Sequence, residues 1–390
     1  MMSTASVSTR PPGTLAGLRV VEFASAGPVP FCCMLLADMG AEVVRIDRIE
    51  PEELGTQSDP KFNLLNRSRR SVRIDLKHPQ GIAAVGRLAA TADVVVEGYR
   101  PGVMERLGLG PAACQERNPR LIYGRMTGWG QEGPLAGEAG HDINYIALAG
   151  ALDAIGPADG DPVVPLNLVG DFGGGALYLA LGILAAVIER HSSGRGQVVD
   201  ASMLDGTHSL LSAAFGAQAR GEWRDRGRNA IDGAAPWYAV YRTADGKYVS
   251  VGAIEARFYR QLLVCLGLAS EDLPEQHDRS GWPLLRSRFS AVFASRTRDE
   301  WCATMDGANA CFAPVLDLDE TRAHAQSVHR HAFVDVAGIS HPAPAPRFSR
   351  TPSRISRPPA CPGEHTEEVL RDCGFSAAEI LSLRACRAIN

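Results

Sequence analysis

The chain has 390 residues, of which 45% are hydrophobic and 22% charged, with a formal net charge of −4 and a pI near 6.2. This composition excludes a disordered majority, and the acidic balance argues against nucleic acid as the main partner while leaving room for local basic patches that hold small phosphates. The length suits two domains, or one large domain carrying a second.

The opening MMSTASVSTRPPGT is polar and lacks the apolar run of a secretory signal, so it reads as a frayed leader. LRVVEFA (18–24) has the pattern of a buried strand. PVPFCCMLLADMG (28–40) reads as a helix with proline near its start and glycine at its end, and AEVVRID (41–47) as a second strand. The same alternation continues through GIAAVGRLAATA (81–92, helix), DVVVEGY (93–99, strand), GVMERLG (102–108, helix) and RLIYGRMTG (120–128, strand), which predicts a largely parallel sheet. Its ligand should lie beyond the carboxyl ends of the strands.

Asp47 imitates the acidic end of a dinucleotide fingerprint, but the glycines are missing. Gly108, Gly110 and Ala113 match the spacing only after a helical segment and with Pro111 between them. No Walker A loop or G-x-S-x-G elbow occurs. ALYLALGILAAVI (176–188) is the longest apolar stretch; at 13 residues it is shorter than the roughly 20 a bilayer requires, so it reads as part of a buried helix spanning about 173–193. No membrane partner is expected. GQVVDASMLDGTHSLL is then a strand leading into a helix.

At WYAVYRTADGKYVSVGA (237–253) the pattern becomes two alternating runs about Asp245-Gly246, the mark of an antiparallel hairpin. The expected organisation is a large domain over 1–200, linker helices over 201–234, a small α+β domain over 235–330, and a return segment over 331–390. That last part crosses back through the Pro- and Arg-rich SHPAPAPRFSRTPSRISRPPACPGEHT and ends in a helix pair. The nine cysteines, with Cys32 and Cys33 adjacent and the others scattered, form neither a disulfide framework nor a metal pair. His324, His329 and His331 have no partner spacing for a metal, and none is expected.

Three stretches put ionisable groups where the sheet geometry would open a cleft: GHDINY (140–145), NLVGDFGGGALYLA (167–180) and VGAIEARFY (251–259). Asp171 stands ahead of three glycines and an apolar helix, near a helix N-terminus whose free N–H groups suit an anion; taken alone it is equally a plain N-cap. Glu255 alone reads as a first-turn carboxylate, and His141 alone as structural or as a base.

At these residues the sequence resembles the alpha-methylacyl-CoA racemases within the family III CoA-transferase superfamily. The resemblance runs over nearly the whole chain, through LLADMGAEVVRIDR, NRSRRSVRIDLK, VVVEGYRPGVMERLGLG, RLIYGRMTGWGQEGP, GHDINYIALAG, PLNLVGDFGGG, GRGQVVDASMLDG, YVSVGAIE and PAPRFSRT. It implies an α/β fold: a Rossmann-like, parallel-sheet large domain made from both chain ends and a smaller α+β domain, assembled as an interlocked homodimer whose active site is shared between subunits. It puts the two acid/base groups on His141 and Asp171, with Glu255 partnering the histidine. The CoA contacts it implies fall on Arg48, on Ile74, Asp75, Leu76 and Lys77, on Gly98, Tyr99 and Arg100, on Arg106, and on Gly140, Asp142, Ile143, Asn144 and Tyr145. Arginines and backbone amides are what a nucleotide with a 3′-phosphate and a pyrophosphate requires.

The implied activity is inversion of a 2-methylacyl-CoA at its α-carbon, with one base on each face, CoA being part of the substrate and no cofactor needed. Backbone amides at the start of the helix after Asp171 are expected to hold the thioester oxygen. Two rivals share the scaffold: a CoA-transferase using Asp171 as nucleophile, and a non-catalytic acyl-CoA-binding protein. Met126, Met203 and Met305 are candidates for an adaptable apolar surface as well as for core packing. The final RACRAIN carries no SKL-type address, so a cytoplasmic location is expected.

Overall fold

The computed structural model describes residues 13–50 and 59–390; the expected leader lies outside the described residues except for Gly13 and Thr14. The chain divides into two compact units.

The first unit comprises the chain up to Ala149 together with Leu166–Leu210 and His329–Asn390. Its centre is a six-stranded sheet of β1 (Arg19–Phe23), β2 (Glu42–Asp47), β3 (Arg70–Arg73), β4 (Val94–Glu97), β5 (Ile122–Thr127) and β6 (Val198–Ser202). All its pairings are parallel, and the order is β3-β2-β1-β4-β5-β6. Because side chains alternate along a strand, Val20, Val43, Val94 and Val96 enter one core while Val21, Val44, Ile46 and Val95 enter the other. A parallel sheet buried on both faces therefore reads as apolar runs.

Helix α1 (Pro28–Asp38) covers the first face through Val29, Cys32, Cys33 and Leu36. The second face is covered by α2 (Pro79–Ala90) and by Met104 and Cys114 of α3 (Val103–Arg106) and α4 (Pro111–Arg117). After α5 (Asp142–Leu148), the chain leaves this unit for α6 (Ala151–Ala154).

It returns in a π-helical stretch, Leu168–Ala176, which runs directly into α7 (Leu177–Ser193). The expected helix start near 173 is thus five residues late. Together the two parts make a 26-residue helix that by length and composition could cross a membrane, longer than the 13-residue apolar count suggests. Leu179, Ala180, Ile183 and Ala186 on one side of it are core, as in the central helix of a globular unit. Helix α8 (Met203–Leu210) ends this part of the chain.

The second unit contains residues 150–165 and Leu211–Val328. This corrects two expected boundaries. Residues 150–165 do not belong with 1–149: the Arg226 guanidinium donates to the main-chain oxygens of Asp153 (2.9 Å) and Gly160 (2.7 Å), holding that stretch in the second unit. The expected linker at 201–234 is not a separate piece, since α8 lies in the first unit and α9 (Ser212–Ala219) in the second. A three-stranded antiparallel sheet follows, with the hairpin β7 (Tyr238–Arg242) and β8 (Tyr248–Gly252) turning at Gly246 (φ 78°) and β9 (Phe312–Pro314) beside β8. Helices α10 (Ala256–Cys265), α11 (Trp282–Phe293) and α12 (Arg298–Met305) pack on it around Trp237, Tyr241, Phe289, Phe293 and Trp301. Two short helices, α13 (Glu320–Ala323) and α14 (Ala325–His329), lead out.

The first unit is completed by the hairpin β10 (Phe333–Val336) and β11 (Ile339–Pro342), the extended segment, and α15 (Thr366–Asp372) and α16 (Ala377–Ala385). Val369, Leu370, Phe375, Ile380 and Leu383 fill the core beneath α2. The extended segment packs Phe348 against the core that α1 covers and is otherwise held by polar bonds. Arg67, on the loop before β3, donates to buried Asp38 at 2.6 Å and to the Pro342 carbonyl at 2.7 Å. The Ser68 hydroxyl donates to Asp38, the Ser68 N–H to Arg357 O, and the Arg354 N–H to Asp38 O.

Removing one partner of a buried pair leaves the other charge uncompensated. Asp38→Ala is expected to lower stability by about 3–5 kcal/mol in a urea titration, and to expose the 343–357 segment to proteolysis before the sheet unfolds; a change within experimental error would refute this role for the pair.

Candidate active site

The strand order reverses between β1 and β4, which is where a doubly wound sheet opens a crevice. A cavity of about 350 Å³ occupies that position. Its walls come from Ser25, Gly27 and Val29 after β1, Gly98 to Pro101 after β4, Met126 to Trp129 at the end of β5, Ala136 to His141 and Tyr145 around the start of α5, and Asp171 and Met203. A second cavity of about 360 Å³ is lined by Arg48 after β2, Ile74, Asp75, Leu76 and Lys77 after β3, and Val103 and Leu107. Tyr99 lines both, and the Arg48 guanidinium lies 5.5 Å from its ring centroid. The loop after β3 is fixed twice: the Lys77 N–H donates to Asp75 Oδ1 at 2.8 Å, and the Asp75 N–H donates to Ala388 O at 2.9 Å.

His141 and Asp171 share the first cavity. His141 is the exposed N-cap of α5; its N–H donates to the Asn144 side chain at 3.0 Å, so Asn144 closes the helix start. Ile143 is exposed. Asp171 lies inside the π-helical stretch, with its carboxylate over the start of α1. A Cβ on Gly27 (φ 70°) would meet Asp171 Oδ2 at 2.7 Å, so a side chain at 27 would occupy the carboxylate's place. Burial holds the Asp171 carboxyl above its usual range; the Asn167 side-chain amide, donating to Oδ2 at 3.0 Å, opposes the shift, Asp142 adds to it and His141 opposes it. Asn167 was not anticipated, although its position four residues before Asp171 was a readable signal for an Asn–Asp pair on a helix.

The amides expected to serve a thioester oxygen are used elsewhere. A π turn directs each amide to the carbonyl five residues back, which occupies those after Asp171, and the Asp171 N–H itself donates to Asp142 Oδ1 at 2.6 Å. Among the described residues, Ser25 Oγ and Trp129 Nε1 are donors of the cavity residues that have no partner. Asp142 is buried and points inward rather than into either cavity. The Tyr145 hydroxyl donates to Gly140 O, which secures the turn just before His141. Arg106 is on α3 but lines neither cavity.

Glu255 belongs to the second unit, where it is the exposed N-cap of α10 and makes no side-chain bond to that helix. Its carboxylate is therefore not serving as a structural cap. Met126 and Met203 line the first cavity, whereas Met305 is core of the second unit. All nine cysteines are unpaired.

Residues 15–366 match the family model described as CoA-transferase family III. The alpha-methylacyl-CoA racemases of Mus musculus and Homo sapiens are 48% and 46% identical to this chain, each over 96% of it and 97% of the relative. A CaiB/BaiF family protein from Brucella suis has the same fold, with a TM-score of 0.80 at 27% identity over 93% of this chain and all of that one.

The Asn167 amide favours the ionised form of Asp171. In Asn167→Ala the Asp171 carboxyl should titrate at still higher pH than in the wild type, as read from carboxyl carbon shifts in NMR; an unchanged or lower titration point would show that this hydrogen bond does not act on it.

Proposed function

The chain belongs to CoA-transferase family III and stands with its alpha-methylacyl-CoA racemases, and from that premise we propose that it is an isomerase that inverts the α-carbon of 2-methyl-branched acyl-CoA thioesters by two-base proton transfer. One observation carries the reading: an imidazole and a carboxyl with raised proton affinity, His141 and Asp171, face a single cavity. The adjacent cavity supplies Arg48 and Lys77 for phosphates.

An α-hydrogen beside a thioester is a weak acid, and inversion needs a proton removed from one face and another delivered to the opposite face. His141 takes the proton as its C–H bond breaks, the electron pair passes into an enolate, and protonated Asp171 donates to the other face. The reverse enantiomer begins with the proton on His141 and Asp171 ionised. Both resting states hold one proton between two bases. Burial raises the proton affinity of the Asp171 carboxyl, the direction that a proton-donating role in the site requires. Glu255 orients the imidazole and stabilises its charged form. Both proton carriers are side chains, so the chemistry calls for no cofactor, and the CoA moiety is substrate.

The partner is a second copy of the chain, with Glu255 supplied from the opposite subunit. Leu177, Leu181 and Ile188 of α7 are 50%, 64% and 71% exposed at spacings of four and seven residues, an uncovered apolar stripe on a helix whose other side, with Leu179, Ile183 and Ala186, is core.

The transferase reading shares the family and the carboxylate. In transfer chemistry Asp171 alone would do the covalent work, and His141 and Glu255 would have no evident task, which favours the acid/base role. Incubation with an acyl-CoA and a free carboxylic acid separates the two, a new thioester being the result that favours transfer.

His141→Ala and Asp171→Ala should each slow α-proton exchange in deuterated water by about 10²- to 10⁴-fold; wild-type exchange in either overturns the two-base reading. If the site is shared, co-expressing His141→Ala with Glu255→Gln restores about a quarter of wild-type activity, because half the dimers are mixed and each mixed dimer has one intact site. Activity no greater than the sum of the two variants alone would refute sharing.

A further inference from the structure

Asp142 is adjacent in sequence to one base and in contact with the other. Its Oδ1 accepts the main-chain N–H of Asp171 at 2.6 Å, a bond between α5 and the π-helical stretch. The residue is 7% exposed, and Oδ2 has no partner. A buried carboxylate left half satisfied is costly, and a helix N-terminus needs no such group at this position, since Asn144 already closes the start of α5. The stretch it grips fits closely against it: a Cβ on Gly170 would lie 2.5 Å from Asp142 Oδ1 and 3.0 Å from Ile146 Cγ2.

Resting on the two-base reading, we propose that Asp142 is a positioning residue that ties the segment bearing Asp171 to the segment bearing His141 and so sets the spacing of the two bases across the α-carbon, with Gly170 providing the clearance for the tie. Proton transfer to and from a carbon held between two groups tolerates little misplacement; an error of 1 Å costs roughly 10²-fold in rate. A bond to the backbone of the second base, from the residue next to the first, controls that distance more directly than any packing contact around the cavity.

The tie also has an electrostatic side. The charged groups acting on Asp171 are Asp142, on α5, and His141, the N-cap of that helix. Of the other elements packed against its stretch, α1 meets it through Pro28 and α8 through Met203 and Thr207. The titratable groups that those elements and the adjoining strands carry are Asp38 on α1, Asp205 and His208 on α8, Arg125 on β5 and Asp200 on β6, none of which is among the groups acting on the Asp171 carboxyl. Removing the charge of Asp142 while keeping its acceptor oxygen should therefore let Asp171 ionise at lower pH.

Three variants test this, with kcat and KM measured for both enantiomers. Asp142→Ala removes the acceptor and should lower kcat by about 10²-fold in both directions, with KM within about threefold. Asp142→Asn keeps Oδ1 and should lose less than about tenfold in kcat, while the acidic limb of kcat/KM moves to lower pH in the direction where ionised Asp171 removes the proton. Gly170→Ala displaces the carboxylate without removing it; it should match Asp142→Ala, and the double variant should be no worse than either single. Wild-type kcat in Asp142→Ala, a loss confined to KM, or an unmoved acidic limb in Asp142→Asn overturns the proposal. Should Asp142→Ala fail to fold, the pH profile of Asp142→Asn decides alone. His141→Ala and Asp171→Ala are run alongside: if they retain exchange, the two-base reading is what fails, and if they abolish it while the Asp142 variants behave as wild type, only the tie is lost.

Discussion

Parallel strands cannot be joined by tight turns, so every return in the first unit must cross a face of the sheet. The direction of those crossings fixes the site. After β1 the chain goes to one face through α1, and after β4 it goes to the other through α3 and α4. The loops leaving two neighbouring strands therefore diverge, and the crevice between them cannot be closed by the sheet itself. Residues 25–29 and 98–101 are its two banks, and the π-helical stretch with Asp171 forms the back. The first cavity is no addition to the fold; it results from where the strand order turns round.

That dependence explains why much was legible in the sequence. Apolar runs such as VVEF and VVVE are long enough to mark strands covered on both faces, and the proline and glycine at the ends of α1 mark its limits. Strand β3 was not readable because arginines occupy both its ends, the signature of a short edge strand rather than of a core one. The hairpin at Asp245-Gly246 was readable because its turn residues and alternating flanks agree. Residues 150–165 were not, since an arginine more than sixty positions later holds them in the second unit.

For the candidate site, the sequence offered residue types and left their geometry open. His141, Asp171 and Glu255 stood out as ionisable groups at the ends of elements. The three glycines after Asp171 read as a loop opening a helix, whereas the backbone there is already helical and its amides are committed. Asp142 sits beside the histidine in sequence, yet whether its side chain faces the cavity or the interior depends on the phase of α5, which a seven-residue helix leaves undetermined until its neighbours are in place. Burial, which raises the proton affinity of Asp171, comes from packing of α1 and α8 on its stretch, and no local pattern encodes that.

The loop after β3 has a further consequence. The N–H of Asp75 is held by the carbonyl of Ala388, and Ile74 bridges to Ile389. The wall of the second cavity is thus anchored by residues made long after it, once α15 and α16 have docked beneath α2. During synthesis on the ribosome, residues 211–328 can gather their own core before that anchor has emerged, whereas the loop facing the second cavity must wait for it. The shape of that wall is then acquired late in the newly made chain, and Ala388 and Ile389 are part of the support of the second cavity rather than an idle tail.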